Sequence, residues 1–395
     1  MTTDNKKTIY LDNAATSFPK PECVITRIEE VLRHIGGNPG RGGHRMAIDA
    51  GRVIFRTRES LARLLNVQDA SRIVFTKSAT EATNLVIKGL LSTEDHAVVS
   101  SFEHNAGIKP LAWLERQGMR LTRIKPGKDG RPDLITLEEV ISSLTSDTRL
   151  VSIVHGSNVF GTIQPIAEIG RALRERGVLF MVDAAQTLGA VPVDLSETPV
   201  DILVGTGHKS LFGPQGTGFV YLREGVEPRN LLEGGTGDLE DELETPDRFE
   251  TGTVNTPGLG GLGAGVDFVL SEGIGKIRAY EEKLIGLLIE GLRKITGVTI
   301  LGPLDASERT SLVAFNIEGL EPQDIGLRLE DDFDIMVRCG THCAPSAHRT
   351  AGTYPTGAVR VSPGYFNTVA DIEALLDAIS TIVKPPAVGQ SPKGG

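Results

Sequence analysis

Apolar, β-branched runs alternate with stretches of helical periodicity over the first two thirds of the chain, the pattern of parallel strands joined by crossover helices. Strands are expected at 72–76, 97–101, 150–155, 178–183, 201–205 and 218–222, and helices at 52–65, 108–117 and 166–176. Ser78-Ala79-Thr80-Glu81 opens a further helix through residue 91, so that a strand, a polar turn and a helix follow one another in the order suited to holding phosphate. After Thr256-Pro257-Gly258 the pattern changes: a long helical tract to about residue 295 precedes strand-like runs at 298–301, 311–317 and 359–362 and a last helix beginning near Thr368. This divides the chain into a large α/β domain over 15–255 and a smaller α+β domain made of 1–14 and 256–384. The stretch 385–395, rich in Pro, Gly and polar residues, reads as a loose tail.

Composition fits that picture and narrows the function. A chain of 395 residues, 39% hydrophobic, is long enough for two domains with separate cores. A net charge of −10 and the absence of any long basic run argue against nucleic acid or an anionic membrane as partner and favour a small-molecule substrate. The polar start and the lack of a long apolar stretch place the protein in the cytoplasm by expectation. Three cysteines, Cys23, Cys339 and Cys343, cannot all pair, and in a reducing compartment they read as chemical or buried thiols. A metal site from Cys339, His342 and Cys343 lacks a second ligand pair at zinc-like spacing, and none is expected.

Candidate chemistry concentrates in two segments. Asp183 ends the apolar run Val178-Leu179-Phe180-Met181-Val182, which puts a carboxylate at the carboxyl edge of a buried strand, where open α/β sheets bind ligands. Lys209 lies in the turn Thr206-Gly207-His208-Lys209, where desolvation and nearby cations would lower its pKa and favour the neutral, nucleophilic amine. A lysine able to form a Schiff base, paired with an aspartate for a pyridinium nitrogen, is what pyridoxal 5′-phosphate (PLP) requires. Gln186 can reach the ring hydroxyl, and Thr80, Thr206 and His208 surround the expected phosphate position. Taken one at a time, an exposed lysine, a loop aspartate and an N-capping threonine are the plainer readings; their combination reverses the odds.

The ordered motifs Leu11-Asp12-Asn13-Ala14-Ala15-Thr16, Ala79-Thr80-Glu81, Glu103-His104-Asn105-Ala106, Ser157-Asn158-Val159-Phe160-Gly161-Thr162, Asp183 to Gln186, and Thr206 to Lys209 with Gly213-Pro214-Gln215-Gly216 resemble the class V aminotransferase family. Phe249-Glu250-Thr251-Gly252-Thr253, Arg338 to Cys343 and Arg360 extend the resemblance to its cysteine desulfurase and selenocysteine lyase branch, in the group with a short cysteine loop. The resemblance implies a PLP enzyme of fold type I, with a mainly parallel seven-stranded sheet in its large domain and a homodimeric assembly.

By the same resemblance, Lys209 carries the Schiff base, Asp183 pairs the pyridine nitrogen and His104 stacks on the ring. Gln186, Ala79, Thr80, Thr206, His208 and Asn158 complete the cofactor site, to which Thr253 contributes across the dimer. Substrate contacts fall to Arg360, Asn158, Arg338, His44 and Ala14. Lys209 acts as base at Cα, Cys343 takes the substrate sulfur as a persulfide, and alanine leaves, with His104 relaying a proton. Arg338 and His342 would stabilise the Cys343 thiolate as neighbouring cations, while Cys339 and Cys23 read as buried structural residues. Three positions depart from the common pattern: Ala79 replaces a frequent threonine, Asn105 a second histidine and Thr206 a serine. A selenocysteine lyase, an aminotransferase or lyase without use of Cys343, and a phosphate-binding protein without enzymatic activity are the alternatives. The last is disfavoured because Gly207-His208-Lys209-Ser210 lacks the glycine directly before the lysine of a P-loop. A sulfur-acceptor protein is the expected macromolecular partner, and the acidic tract 234–248 reads as a solvated loop.

Overall fold

The computed structural model describes residues 8–40, 42–127, 130–235 and 243–383. The expected tail 385–395 and residues 236–242 of the acidic tract 234–248 lie outside the described residues. In chain order the elements are β1 (Ile9–Tyr10), α1 (Glu22–His34), α2 (Arg45–Leu65), β2 (Ile73–Thr76), α3 (Ala79–Leu90), β3 (His96–Val99), α4 (Asn105–Glu115), β4 (Arg120–Arg123), α5 (Leu137–Ser142), β5 (Thr148–Val154), α6 (Ile166–Arg174), β6 (Leu179–Asp183), β7 (Ile202–Thr206) and β8 (Gly218–Leu222). They continue with α7 (Thr256–Glu272), α8 (Ile274–Leu292), β9 (Val298–Leu301), β10 (Val313–Ile317), α9 (Pro322–Phe333), β11 (Ile335–Met336), β12 (Arg338–Gly340), α10 (Pro345–Thr350), β13 (Ala358–Val361) and α11 (Val369–Val383).

Among the described residues seven strands form the main sheet in the order β2-β8-β7-β6-β5-β3-β4, parallel except for β8, which runs antiparallel to both neighbours. The expected mainly parallel seven-stranded sheet is therefore present. Its central strands β5, β6 and β7 are buried on both faces, which is why they read as continuous apolar runs rather than alternating ones. The edge strand β4, Arg-Leu-Thr-Arg, escaped the sequence pattern because an edge tolerates charge and needs no apolar run.

Helix α2 begins at Arg45, a full two turns before the expected start, because His44 caps it by accepting from the Ala47 N–H at 3.3 Å. The long tract after residue 256 is two helices broken at Gly273, where φ is +84°. Helix α7 packs on α1 and α2, and a Cβ at Gly261 would lie 2.6 Å from the Ile28 side chain, so glycine there permits close helix contact. Leu259, Leu262 and Val266 of α7 share one apolar cluster with Phe180, Val182 and Leu203 of the main sheet.

A second sheet, β12-β13-β10-β9, is antiparallel throughout and packs its apolar residues Val313, Phe315, Val359 and Val361 against Leu284 and Leu288 of α8 and Ile372, Leu375 and Ile379 of α11. Strand β1 pairs in parallel with β11, which returns the N-terminal segment to this second body. No helix among the described residues is long and apolar enough to cross a membrane.

Candidate active site

The carboxyl ends of β3, β5, β6 and β7 converge on one cavity of about 200 Å³. Asp183 is the last residue of β6, Lys209 follows β7, Asn158 follows β5 and His104 follows β3. All four line the cavity, together with Ala14, Ala79, Thr80, Gln186, Thr206, His208, Arg338 and Arg360. Tertiary structure thus gathers most of the residues expected from sequence. Ser78 and His342 join them.

The turn bearing Lys209 is pinned from a distant part of the chain. The His208 carbonyl accepts from Ser17 N, Thr16 Oγ1 and Lys20 Nζ at 3.0, 3.0 and 2.9 Å, and Ser17 Oγ donates to the Lys209 carbonyl at 2.8 Å. Burial of the amine pulls the Lys209 pKa from 10.5 to about 8; Arg360 and Arg338 push the same way and Asp183 opposes them. A larger neutral fraction near neutral pH follows, as a nucleophilic lysine needs.

Helix α3 points its N-terminus into the cavity. Ser78 caps it by accepting from Glu81 N at 3.2 Å, and the Glu81 carboxylate reaches back to Lys77 N at 2.6 Å. The first-turn N–H groups of Ala79 and Thr80 have no carbonyl within the helix to bond and suit an anion. This helix start lies against β8 because residue 218 is glycine: a Cβ there would sit 2.5 Å from the Ser78 carbonyl carbon. His208 lines the same space; burial, with Lys209 and Lys20 nearby, brings its pKa to about 4, and its Nδ1 is buried without a partner among the described residues.

His104 caps α4 through Nδ1, which accepts from Ala106 N at 3.1 Å. In the neutral ring, favoured by a pKa that burial lowers, the proton therefore sits on Nε2. Gln186 donates its amide to the Ala14 carbonyl at 3.0 Å, so its remaining amide hydrogen is what it offers a ligand. Asn158 donates to the His342 carbonyl at 2.6 Å and leaves its own oxygen buried and, among the described residues, unpartnered.

The second sheet supplies two cations. Arg338 on β12 and Arg360 on β13 are opposite one another in register. Arg360 is almost wholly buried; it donates to Asp12 Oδ1 at 2.7 Å and to the Asn158 carbonyl at 3.2 Å, and its Nε has no partner among the described residues. Asp12, which sequence reading left without a role, is the counter-charge that makes burial of this guanidinium tolerable.

Cys343 does not line the cavity, but Arg338, which does, donates through Nη2 to the Cys343 sulfur at 3.3 Å. His342 and Cys343 both adopt left-handed backbone, φ 51° and 59°, and the loop is tied down where Asn105 N donates to the Cys343 carbonyl at 2.8 Å. The expected cationic help from His342 is not there. Burial, with Arg360 and Arg338 close by, drives its pKa down to about 2, and its ring meets His348 and the Arg338 carbonyl rather than the thiol. Cys339 is half-buried on β12, with its pKa raised to about 11 by burial, whereas Cys23 is exposed on α1, contrary to the buried reading.

Two expected residues lie elsewhere. His44 is occupied in capping α2 and Thr253 lines a separate cavity of about 400 Å³ with Phe75, Leu232 and Phe249; neither lines the Lys209 cavity. Among the described residues no group of three or more His, Cys, Asp or Glu is placed to hold a metal ion.

The family model for class-V aminotransferases matches residues 9–375 of this chain. The chain belongs to this family. Among class-V aminotransferases it is similar to a probable cysteine desulfurase of Methanothermobacter thermautotrophicus, 34% identical with 95% of this chain and 94% of the relative covered. It is likewise similar to a cysteine desulfurase of Salmonella agona, 33% identical with 94% and 93% covered. The solved structure of a cysteine desulfurase from Thermococcus onnurineus superposes with a TM-score of 0.88 at 33% identity, covering 95% of each chain. Members of the family are PLP-dependent, and the fold type I expectation holds.

Proposed function

We propose that the protein is a cysteine desulfurase that uses pyridoxal phosphate to convert L-cysteine to L-alanine and carries the sulfur as a persulfide on Cys343. The observation behind this reading is the meeting of two bodies at one cavity: Lys209 and Asp183 from the main sheet, and Arg338 with its bonded Cys343 from the second sheet. The residues fit the cofactor. His208, whose buried Nδ1 has no partner among the described residues, lines the same cavity as the α3 N-terminus, and Asp183 ends a strand with one carboxylate oxygen engaged by Ala185 N at 2.9 Å. Thr80, Ala79, Thr206 and His208 would hold the phosphate, Asp183 the ring nitrogen, His104 the ring face and Gln186 the ring hydroxyl. When bound, the cofactor supplies an electron sink for bond breaking at Cα.

Arg360, helped by the remaining Asn158 amide hydrogen, binds the substrate carboxylate. Lys209 Nζ takes the Cα proton, its lowered pKa matching the task. The Cys343 thiolate attacks the substrate sulfur: the new S–S bond forms as the Cβ–S bond breaks, and the electron pair stays with carbon. His104, through its Nε2–H, returns a proton as alanine forms.

Thr253, away from its own chain's cavity, supports the proposal of a homodimer in which it serves the neighbouring copy's cofactor. The large and small domains suggested by the change of pattern at residue 256, cytoplasmic residence, a sulfur-acceptor protein and a sulfur-mobilising pathway belong to the same proposal. The test is Cys343→Ala: the visible cofactor band is retained, while alanine and sulfide production from cysteine falls to background. Alanine formed at the parent rate refutes the persulfide route. Side-by-side rates with selenocysteine separate the lyase reading, because a true lyase turns over selenocysteine in the Cys343→Ala variant.

A further inference from the structure

Behind the cysteine loop lie two buried histidines, His342 and His348, that the reaction described above does not use. His342 Nε2 is 3.3 Å from the Arg338 carbonyl, His342 Nδ1 is 3.2 Å from His348 Nε2, and His348 Nδ1 is 2.7 Å from Thr353 Oγ1. The direction of every bond in this row follows from its end. A carbonyl only accepts, so His342 carries its proton on Nε2 and, being neutral, presents a lone pair at Nδ1. His348 must then donate through Nε2, which leaves its Nδ1 to accept from the Thr353 hydroxyl. Burial favours neutral rings at both positions, lowering the two pKa values to about 2 and about 4.

The row ends on the residue that touches the sulfur. Arg338 is held at its carbonyl by His342 while its guanidinium donates to Cys343 at 3.3 Å, and His342 is the left-handed residue directly before Cys343. Fixing the His342 ring therefore fixes both the backbone that aims Cys343 and the cation beside its thiol.

The geometry points to His348, backed by Thr353, as a positioning residue that sets the tautomer and orientation of His342 and thereby holds Arg338 and Cys343 in the geometry for sulfur capture. This rests on Cys343 being the acceptor of substrate sulfur. His348 touches neither substrate nor cofactor, so its loss should leave steps at Cα intact and slow only the step at sulfur.

The holoenzyme provides the test, with His348→Leu, His348→Gln and Thr353→Val as variants and Cys343→Ala as control. Three quantities are followed: the visible cofactor band, solvent-deuterium exchange at Cα of alanine, and single-turnover persulfide formation together with iodoacetamide alkylation of Cys343. In His348→Leu, the row is cut and a buried acceptor on His342 is left unpaired, so capture and alkylation slow by about tenfold or more while band and exchange stay at parent values. His348→Gln restores most of the rate because its amide offers both an N–H donor toward His342 and a carbonyl acceptor toward Thr353. Thr353→Val, nearly the same shape, slows capture by about threefold through the weakened far end. Should His348→Leu prove unfolded, Thr353→Val and His348→Gln still decide. Parent-rate capture in a folded His348→Leu or in Thr353→Val overturns the inference, as does an equal loss of Cα exchange and capture. Full desulfuration by Cys343→Ala instead overturns the reading beneath it.

Discussion

Replacing Arg360 by lysine tests the carboxylate site most directly. The guanidinium has five N–H groups; one goes to Asp12 Oδ1 at 2.7 Å and one to the Asn158 carbonyl at 3.2 Å. Three remain, including the buried Nε, unpartnered among the described residues, enough for the two parallel bonds that a carboxylate accepts. An ammonium has three donors. Two of them would be taken by Asp12 and Asn158, leaving one for the substrate. The substitution keeps the charge and the pairing of Asp12, so the partly buried carboxylate is not stranded, and it removes one charge-assisted hydrogen bond. Such a bond contributes about 1.5–3 kcal/mol, or about 10- to 150-fold in kcat/KM. Because the substrate carboxylate is bound alike before and during the reaction, most of the change should appear in KM. Alanine release measured over a range of cysteine concentrations reads both constants. Cysteamine, which lacks the carboxylate, should perturb the cofactor spectrum equally in parent and variant. A kcat/KM within threefold of the parent, or an equal loss of cysteamine binding, refutes the assignment.

Other consequences follow from buried charge. Lys209→Ala should abolish the covalent label that borohydride leaves on the parent chain, and a labelled Lys209→Ala would place the Schiff base elsewhere. Arg309, wholly buried, donates to the carbonyls of Phe160, Leu301, Pro303 and Leu312 and so ties the loop after β5 to the second body. Arg309→Leu strands these acceptors and should cost about 3–5 kcal/mol in urea unfolding of the holoenzyme, a loss below about 1 kcal/mol arguing against the tie. Glu281 is buried with one oxygen unpartnered among the described residues, and desolvation raises its pKa from 4.5 to about 8. The folded state then binds more protons than the unfolded one between pH 4.5 and about 8, so this group's contribution to stability is complete below 4.5 and is lost as pH rises through 8. Glu281→Gln should flatten the alkaline decline of Tm; an unchanged slope between pH 6 and 9 contradicts the buried neutral acid.

The strands that carry the chemistry were legible because each combines a local signal with a buried run. Val178 to Val182 followed by Asp183 announces both a central strand and what stands at its end, and β8 occurs at 218–222 as expected. The motif after Thr206 exposed Lys209 for the same reason. Less legible were β4, whose arginines suit an edge, and the two-residue β1, which exists only through its pairing with β11. The site residues that escaped notice share a different trait. Asp12 matters through a partner 348 positions away, and Lys20 and Ser17 through a carbonyl on His208. No local pattern encodes such contacts.

By itself the sequence determined the alternation of strands and helices, the identity of the lysine, aspartate and cysteine that the chemistry needs, and the family that their order marks. These depend on periodicity and on which side chains can perform a given step, both of which are properties of the residues themselves. Tertiary structure alone decided that Arg338 faces Arg360 across an antiparallel pair, that Asp12 compensates a buried guanidinium, and that His342 is a neutral link in a hydrogen-bonded row rather than a cation beside the thiol. Charge state and bond direction depend on burial and on partners brought from distant parts of the chain, and only the folded packing supplies those.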